Sequence, residues 1–201
     1  RSWRTDVVLP AAALALSACA PNAPAPPREP AVSGPEAAGP AAVRPSLAVG
    51  ALHACVLRAQ GDVLCWGYNA SGQLGRRSGS RRPAPAPAPV EGLRDVRQVA
   101  LGMTHSCALT DGGDVFCWGN NHYGQLDHTN NLGTEAPNAK PTRVEGLHGV
   151  RQIGLGAHTS CALTQEEHVY CWGDGRHGQL GDPATSGLDR PNPRPLLVVG
   201  R

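Results

Sequence analysis

Three copies of one cysteine-containing pattern limit what this chain can fold into more than any other feature. In each copy two cysteines stand 10 residues apart, Trp-Gly follows the second cysteine directly, and Gly-Gln-Leu comes a few residues later. The pattern recurs after 52 residues and again after 54. Self-similarity at a period of about 50 residues is typical of propellers and solenoids, in which each repeat packs on its neighbours. The six cysteines are Cys55, Cys65, Cys107, Cys117, Cys161 and Cys171.

Each copy predicts four short antiparallel strands and no helix. A strand with alternating apolar positions, such as Val99 and Leu101, is followed by a glycine. A hairpin comes next, because Leu109 and Val115 stand symmetrically about a turn at Gly112, and alternation then places both side chains on one face. A fourth strand is predicted after the variable loop that follows Gly-Gln-Leu. Its three copies are 89–93, 144–147 and 198–200.

These elements predict an all-β fold, a partial β-propeller that forms an open arc of about three four-stranded blades. The propeller region is 46–201, and its blades span approximately 46–95, 96–149 and 150–201. Closed propellers have about four to eight blades, so three are too few to complete a ring. We therefore expect further blades beyond Arg201, or another copy of the chain, to cover the apolar end faces.

The repeat resembles a known family. Residues 102–109 read Gly-x-x-His-x-x-Ala-Leu, and residues 115–126 read Val-Phe-x-Trp-Gly-x-Asn-x-x-Gly-Gln-Leu. These runs are similar to the regulator-of-chromosome-condensation repeat, and the resemblance covers roughly 46–200. In that family about seven repeats close a β-propeller. Three positions depart from the pattern: Asp127 replaces a glycine, Gly175 an asparagine and Thr159 a histidine.

The N-terminal residues predict export. Residues 7–16 are apolar apart from Pro10, a length that suits a signal peptide and is too short to span a membrane. The run ends in Leu-Ser-Ala-Cys, which resembles a bacterial lipobox and implies lipidation of Cys19. Cleavage for ordinary secretion and a simple strand are the alternatives. We expect residues 1–19 to be a signal segment, and the protein to be an outer-membrane lipoprotein attached through its lipid, or secreted.

Residues 20–45 are dominated by Pro, Ala and Gly, with almost no large apolar residue. Such a composition cannot build a core, so this segment is predicted to be a disordered linker.

The paired cysteines have three interpretations. A disulfide across each hairpin is favoured, because opposed Cβ atoms in an antiparallel pair lie ~4.5–5.5 Å apart, close to disulfide range. Each disulfide would contribute roughly 2–3 kcal/mol to stability on the chain-entropy model. Buried free thiols are the second interpretation. A metal site is the third and least favoured, because the spacing is unusual for zinc ligands.

The other recurring residues are predicted to be structural. The tryptophans alternate with the cysteines, so they face the opposite side of the strand, where we expect packing between neighbouring blades. The glycines suit turns and close backbone approach, and the glutamines are expected to bond loop backbone. His53 and His105 are expected to make structural hydrogen bonds. The recurring tryptophans, glycines, glutamines and leucines are Trp66, Gly67, Gly72, Gln73, Leu74, Trp118, Gly119, Gly124, Gln125, Leu126, Trp172, Gly173, Gly178, Gln179 and Leu180.

Composition and motifs favour a binding protein over an enzyme. The formal net charge of +2 gives no general attraction to nucleic acid, and aromatic residues, at 4% of the chain, are too few to stack on bases. No nucleophile–base arrangement, carboxylate pair or phosphate loop appears, so no catalytic residue, metal or cofactor is predicted. The arginines at 76, 77, 81 and 82 are interpreted as a solvated loop.

Three functional hypotheses follow. The first is a non-enzymatic binding or scaffold propeller in the cell envelope, which contacts a protein or a glycan through loops 76–87 and 129–139. The second is a guanine-nucleotide exchange factor, as in the family's nuclear founder. Export and paired cysteines disfavour it, because exchange factors work in reducing compartments. The third is inhibition of a secreted enzyme, since a secreted β-lactamase inhibitor shares this type of propeller.

Overall fold

The computed structural model describes residues 43–77 and 83–199. Within these residues all regular elements are strands, arranged in three four-stranded antiparallel sheets, which we call blades 1, 2 and 3. The expected all-β fold and open arc of three blades are confirmed. The predicted signal segment, the lipidation of Cys19 and nearly all of the predicted linker lie outside the described residues.

The strands follow one another in sequence and in space, with four to a blade. Blade 1 contains β1 (Ser46–Val49), β2 (His53–Leu57), β3 (Val63–Gly67) and β4 (Ala84–Pro89). Blade 2 contains β5 (Val96–Leu101), β6 (His105–Thr110), β7 (Val115–Gly119) and β8 (Asn138–Arg143). Blade 3 contains β9 (Val150–Leu155), β10 (Thr159–Thr164), β11 (Val169–Gly173) and β12 (Asn192–Val199).

The first strand of each blade lies at the inner edge of the arc. There β1 contacts β5, and β5 contacts β9, while β4, β8 and β12 form the outer edges of their sheets. Blade 2 therefore packs between blades 1 and 3. Among the described residues, no helix is long and apolar enough to cross a membrane.

The apolar core forms between blades as much as within them. Leu57 and Val63 stand opposite each other in the hairpin of blade 1, and both are buried. Their cluster also takes in Val96 and Trp118 from blade 2. A second cluster joins blades 2 and 3 in the same way and includes Trp172 of blade 3. Because burying one such side chain contributes roughly 1.5–3 kcal/mol, each blade depends on its neighbour for stability.

The predicted position of the fourth strand is wrong in blades 1 and 2. Pro89 is the last residue of β4, and residues 90–93 and 144–147 lie in the turns that follow β4 and β8. The strand of blade 1 reads Ala-Pro-Ala-Pro-Ala-Pro, a composition that suggests a loop. An outer strand tolerates alternate prolines, because only one of its edges needs N–H donors. In blade 3 the prediction overlaps the end of β12, and Gly200 lies outside the described residues.

This shift also shortens the two predicted loops. Residues 84–87 of the loop 76–87 belong to β4, and residues 138–139 of the loop 129–139 belong to β8.

Candidate functional site

All six repeat cysteines form disulfides across their hairpins. Cys55–Cys65, Cys107–Cys117 and Cys161–Cys171 are bonded, each pair occupying opposed positions in its strand ladder. The favoured interpretation is therefore confirmed, and free thiols or metal ligation by these residues are excluded. Elsewhere among the described residues, no group of three His, Cys, Asp or Glu side chains is placed to hold a metal ion.

The contact between blades 1 and 2, which we call the first seam, contains three buried hydrogen bonds made by side chains. The backbone oxygen of Gln73 accepts from Ser106 Oγ at 2.9 Å and from Trp118 Nε1 at 2.9 Å. His53 Nε2 lies 2.7 Å from the same Ser106 Oγ. Because the serine hydroxyl has given its single proton to Gln73, His53 must donate from Nε2. This requirement assigns the tautomer of a neutral His53.

The contact between blades 2 and 3, the second seam, repeats these bonds. The Gln125 backbone oxygen accepts from Ser160 Oγ at 2.9 Å and from Trp172 Nε1 at 3.0 Å. His105 Nε2 lies 3.1 Å from Ser160 Oγ. Sequence reasoning placed the tryptophans, glutamines and histidines in structural roles, but it missed the serines. Ala54 occupies the serine position in the first repeat, so the periodic signal is weak there.

Both histidines are held neutral by their surroundings. Burial disfavours the imidazolium and lowers the pKa of His53 to about 4 and that of His105 to about 3. Neither Nδ1 atom has a hydrogen-bond partner. Groups so buried, and already bonded through Nε2, are unsuited to exchange protons with a substrate near neutral pH.

The other recurring residues also serve the blades. Trp118 and Trp172 are fully buried at the seams, whereas Trp66 is only partly buried on the open face of blade 1. Gln73 and Gln125 are buried and accept loop N–H groups through Oε1, while Gln179 does so at an exposed position. Leu74, Leu126 and Leu180 are fully buried. The glycines at 67, 72, 119, 124, 173 and 178 all have positive φ angles.

Gly119 shows why these glycines recur. Its φ is 112°, and a Cβ atom there would lie 2.5 Å from the Thr104 backbone oxygen. Any side chain would therefore combine backbone strain with a collision against backbone at the end of the hairpin.

An asparagine braces the Gly-Gln-Leu loop in two of the blades. Asn69 accepts from the Leu74 N–H at 2.9 Å and donates to the Arg76 oxygen, and Asn121 repeats this between Leu126 and His128. In blade 3 Gly175 replaces the asparagine. Leu180 and Thr185 fill the space that a side chain would need.

The second seam carries additional bonds that the first does not share. The Gln98 side chain donates to the Ile153 backbone oxygen at 2.8 Å and accepts from its N–H at 2.9 Å. The position of Gln98 in blade 1 is taken by Ser46, which is exposed. At the loop surface, the Arg176 guanidinium lies over the Tyr123 ring, 4.7 Å from its centre. These contacts add to the bonds that both seams share.

The first seam is open at its outer edge. A groove of about 830 Å³, the first-seam groove, lies between the loop after β3 and the outer strand β8. Its charged side chains are Arg76, Arg77 and Lys140, with Glu91 as its single carboxylate. Its other lining residues are Asn69, Ala70, Gly72, Gly75, His128, Asn130, Pro137, Asn138, Ala139 and Thr142.

Arg76 is held in a fixed position in this groove. Its Nη1 donates to the Cys65 oxygen at 2.9 Å and to the Ala88 oxygen at 3.0 Å. Partial burial lowers its pKa, and the charge of Glu91 acts in the opposite direction. None of Arg76, Arg77 and Lys140 forms an ion pair with another described residue. With three cations and the single carboxylate of Glu91, the groove therefore has an excess of positive charge.

Fold and seams together define a propeller-type repeat protein, whose blades are joined by the same side chains at each contact. Within this class, the chain belongs to the regulator of chromosome condensation (RCC1) repeat family. One family model matches residues 46–73, 96–125 and 150–179, and a second matches 60–109 and 112–163.

Curated relatives extend far beyond the matched region. The E3 ubiquitin-protein ligase HERC2 of Homo sapiens is 36% identical over 148 residues, which are 71% of this chain and 3% of that protein. The ultraviolet-B receptor UVR8 of Arabidopsis thaliana is 33% identical over 141 residues, which are 68% of this chain and 31% of that protein. The chain thus spans less than a third of either relative.

Two solved structures share the arrangement of blades. Yeast RCC1 (Prp20), crystallised with Kap60 bound, matches with a TM-score of 0.65 at 30% identity, over 76% of this chain and 36% of that one. Human WBSCR16 matches with a TM-score of 0.65 at 31% identity, over 77% of this chain and 41% of that one.

Proposed function

We propose that this protein is a non-enzymatic binding module that engages a protein partner at the outer edge of its blades, around the first-seam groove. One observation carries this proposal. The polar side chains that recur at both seams form hydrogen bonds between blades, whereas the groove arginines Arg76 and Arg77 do not recur in blades 2 and 3. Arg76, for example, corresponds to His128 in blade 2 and to Asp182 in blade 3.

Solved relatives support the class of partner. Yeast RCC1 (Prp20) has been crystallised with Kap60 bound, and another structure of Prp20p concerns its binding properties to Gsp1p and histones. Those partners belong to that protein. For this chain the comparison supports a protein partner in general.

The proposed setting is the cell envelope, with the chain lipid-anchored through Cys19 or secreted. Three disulfides support an oxidising compartment. Labelled palmitate tests the anchor: incorporation should be lost in a Cys19→Ala variant of the full gene. Equal labelling of both proteins would refute lipidation.

Cross-linking at the groove tests the binding function. A photo-reactive residue is placed at Thr142, which is exposed in the groove, and in a second protein at His177, which is exposed on blade 3. In envelope extract, position 142 should give a discrete adduct that an excess of unlabelled full chain suppresses. Position 177 is the matched control. Equal cross-linking at both positions, with no reduction by the unlabelled chain, would contradict a specific binding surface.

A further inference from the structure

The charges of the first-seam groove identify the chemistry of its occupant. Three cationic side chains and one carboxylate line it. Since Arg76, Arg77 and Lys140 form no ion pair with another described residue, carboxylates of a partner would meet an excess of positive charge. Arg76 is already immobilised by Cys65 and Ala88, so a partner would not have to order its guanidinium on binding.

The shape of the groove favours an extended chain over a compact ion. One wall is the outer strand β8, on which Lys140 and Thr142 are exposed and separated by the buried Pro141. Alternate residues of a strand are ~6.6 to 6.8 Å apart, the spacing of side chains i and i+2 in another extended peptide. The opposite wall carries Arg76 and Arg77. An extended segment lying along β8 would therefore pass between Lys140 on one wall and the two arginines on the other.

The lining disfavours nucleic acid as the occupant. His128 is the single aromatic-type ring among the lining residues, which provides little surface for stacking bases. Burial lowers the pKa of His128, so it adds no charge near neutral pH.

We infer that the first-seam groove binds an acidic, extended peptide segment of a protein partner, with its carboxylates on Arg76, Arg77 and Lys140. This inference rests on the proposed function and specifies the chemistry of its partner. It also changes the interpretation of the arginines at 76 and 77, from solvated loop to binding residues.

Peptide binding tests the inference with the full chain. The probe is a fluorescent peptide of alternating Glu and Gly, compared by anisotropy with peptides in which Gln or Lys replaces Glu. The Glu peptide should bind best, and its affinity should fall as salt increases. Equal affinity for the Glu and Gln peptides, or competition by inorganic phosphate at the concentration of the peptide, would overturn the inference.

Matched charge variants locate the binding. The double variant Arg77→Gln with Lys140→Gln should weaken binding of the Glu peptide by about tenfold, since two desolvated charge contacts are lost. The control Arg94→Gln with Arg151→Gln removes the same charge from exposed positions outside the groove and should stay within about twofold. Equal losses in both variants would indicate a general electrostatic effect and would overturn the inference. Lys140→Glu should shift preference toward the Lys peptide, a gain that unfolding could not produce.

Cross-linking from Thr142 separates the two proposals. A partner captured undiminished by the double variant would overturn the acidic-peptide inference while leaving the binding function intact. Absence of any competed adduct with the unaltered groove would overturn the binding function itself.

Discussion

The first and second seams join consecutive blades with the same hydrogen bonds, yet they differ in what surrounds those bonds. In both seams, the backbone oxygen of a glutamine accepts hydrogen bonds from a serine side chain and a tryptophan side chain of the next blade. The second seam adds the Gln98 clamp and the stacking of Arg176 on Tyr123. The first seam leaves a cationic groove open.

This difference separates residues that hold the fold from residues available for recognition. Bonds that recur at both seams are required by blade packing. The contacts confined to the second seam stiffen it, while Arg76, Arg77 and Lys140 at the first seam form no ion pair with another described residue. Such residues can change between proteins without loss of the fold, as expected of a binding surface on a repeat scaffold.

The largest expected effect comes from the seam tryptophans. Trp118→Ala and Trp172→Ala should each lower the free energy of unfolding by roughly 3–5 kcal/mol, because each removes a fully buried ring and a hydrogen bond to a carbonyl. Urea denaturation measures this change.

Trp66→Ala is the matched control, because the same residue stands on the open face of blade 1. Trp66→Ala should lower the free energy of unfolding by less than about 2 kcal/mol, since the ring is only partly buried. A cost equal to that of Trp118→Ala would show that the open face is covered in solution.

Acid should weaken both seams through their histidines. Their pKa values fall from 6.5 to about 4 for His53 and about 3 for His105. The unfolded chain therefore binds these protons first, and stability declines as pH falls from 6.5 towards 4, by up to about 1.4 kcal/mol per pH unit for each histidine. Urea midpoints between pH 7 and 5 should show a smaller slope for His53→Gln and for His105→Gln than for the unaltered chain.

Asp127 should act in the opposite direction. Burial raises its pKa from 3.8 to about 6, so the folded state takes up its proton first and gains stability as pH falls through 6 towards 3.8. Asp127→Asn should therefore steepen the loss of stability on acidification.

For the histidine prediction, a slope unchanged in His53→Gln and His105→Gln would show that the imidazoles titrate alike in the folded and unfolded states.

Gln98 measures the extra strength of the second seam. Gln98→Ala should cost about 1–2 kcal/mol, because two backbone groups of Ile153 lose their partner. Ser46→Ala, at the same position in blade 1, should change stability by less than about 0.5 kcal/mol. Ser46→Gln offers the converse test, since a clamp built at the first seam should raise the urea midpoint.

The smallest effect is expected in the groove. Lys140→Gln and Thr142→Ala should each alter the free energy of unfolding by less than about 0.5 kcal/mol, since both side chains are exposed and unpaired across the seam. A larger loss for Lys140→Gln would indicate that the groove supports the fold, which would weaken the distinction between the two seams.

Local regularity made much of the fold predictable. The symmetric placement of Cys107 and Cys117 about Gly112 correctly indicates the hairpin register and its disulfide. The fourth strand of blade 1 is hard to place because its alternating prolines resemble a loop, and that of blade 2 because Asn-Ala-Lys-Pro-Thr-Arg has no apolar alternation. The outer-edge position that tolerates such residues is not visible in local sequence.

The candidate site depends on contacts that sequence spacing does not reveal. Lys140 and Arg76 line the same groove because the loop after β3 packs on the neighbouring blade, where Gly72 approaches Ala139 closely. Nothing in either local sequence indicates this pairing. The role of Ser106 was similarly hidden, because its partners His53 and Gln73 lie in another blade.

The hairpin disulfides also determine how the chain would respond to mechanical force. Each joins residues 10 positions apart, so the turn between them cannot be drawn out while the bond is intact. At ~3.4 Å per residue, the three closed hairpins withhold roughly 100 Å of contour length. A pulled chain would extend through the segments between hairpins. Each disulfide-closed hairpin would stay compact, and its blade could re-form around it when the tension is released.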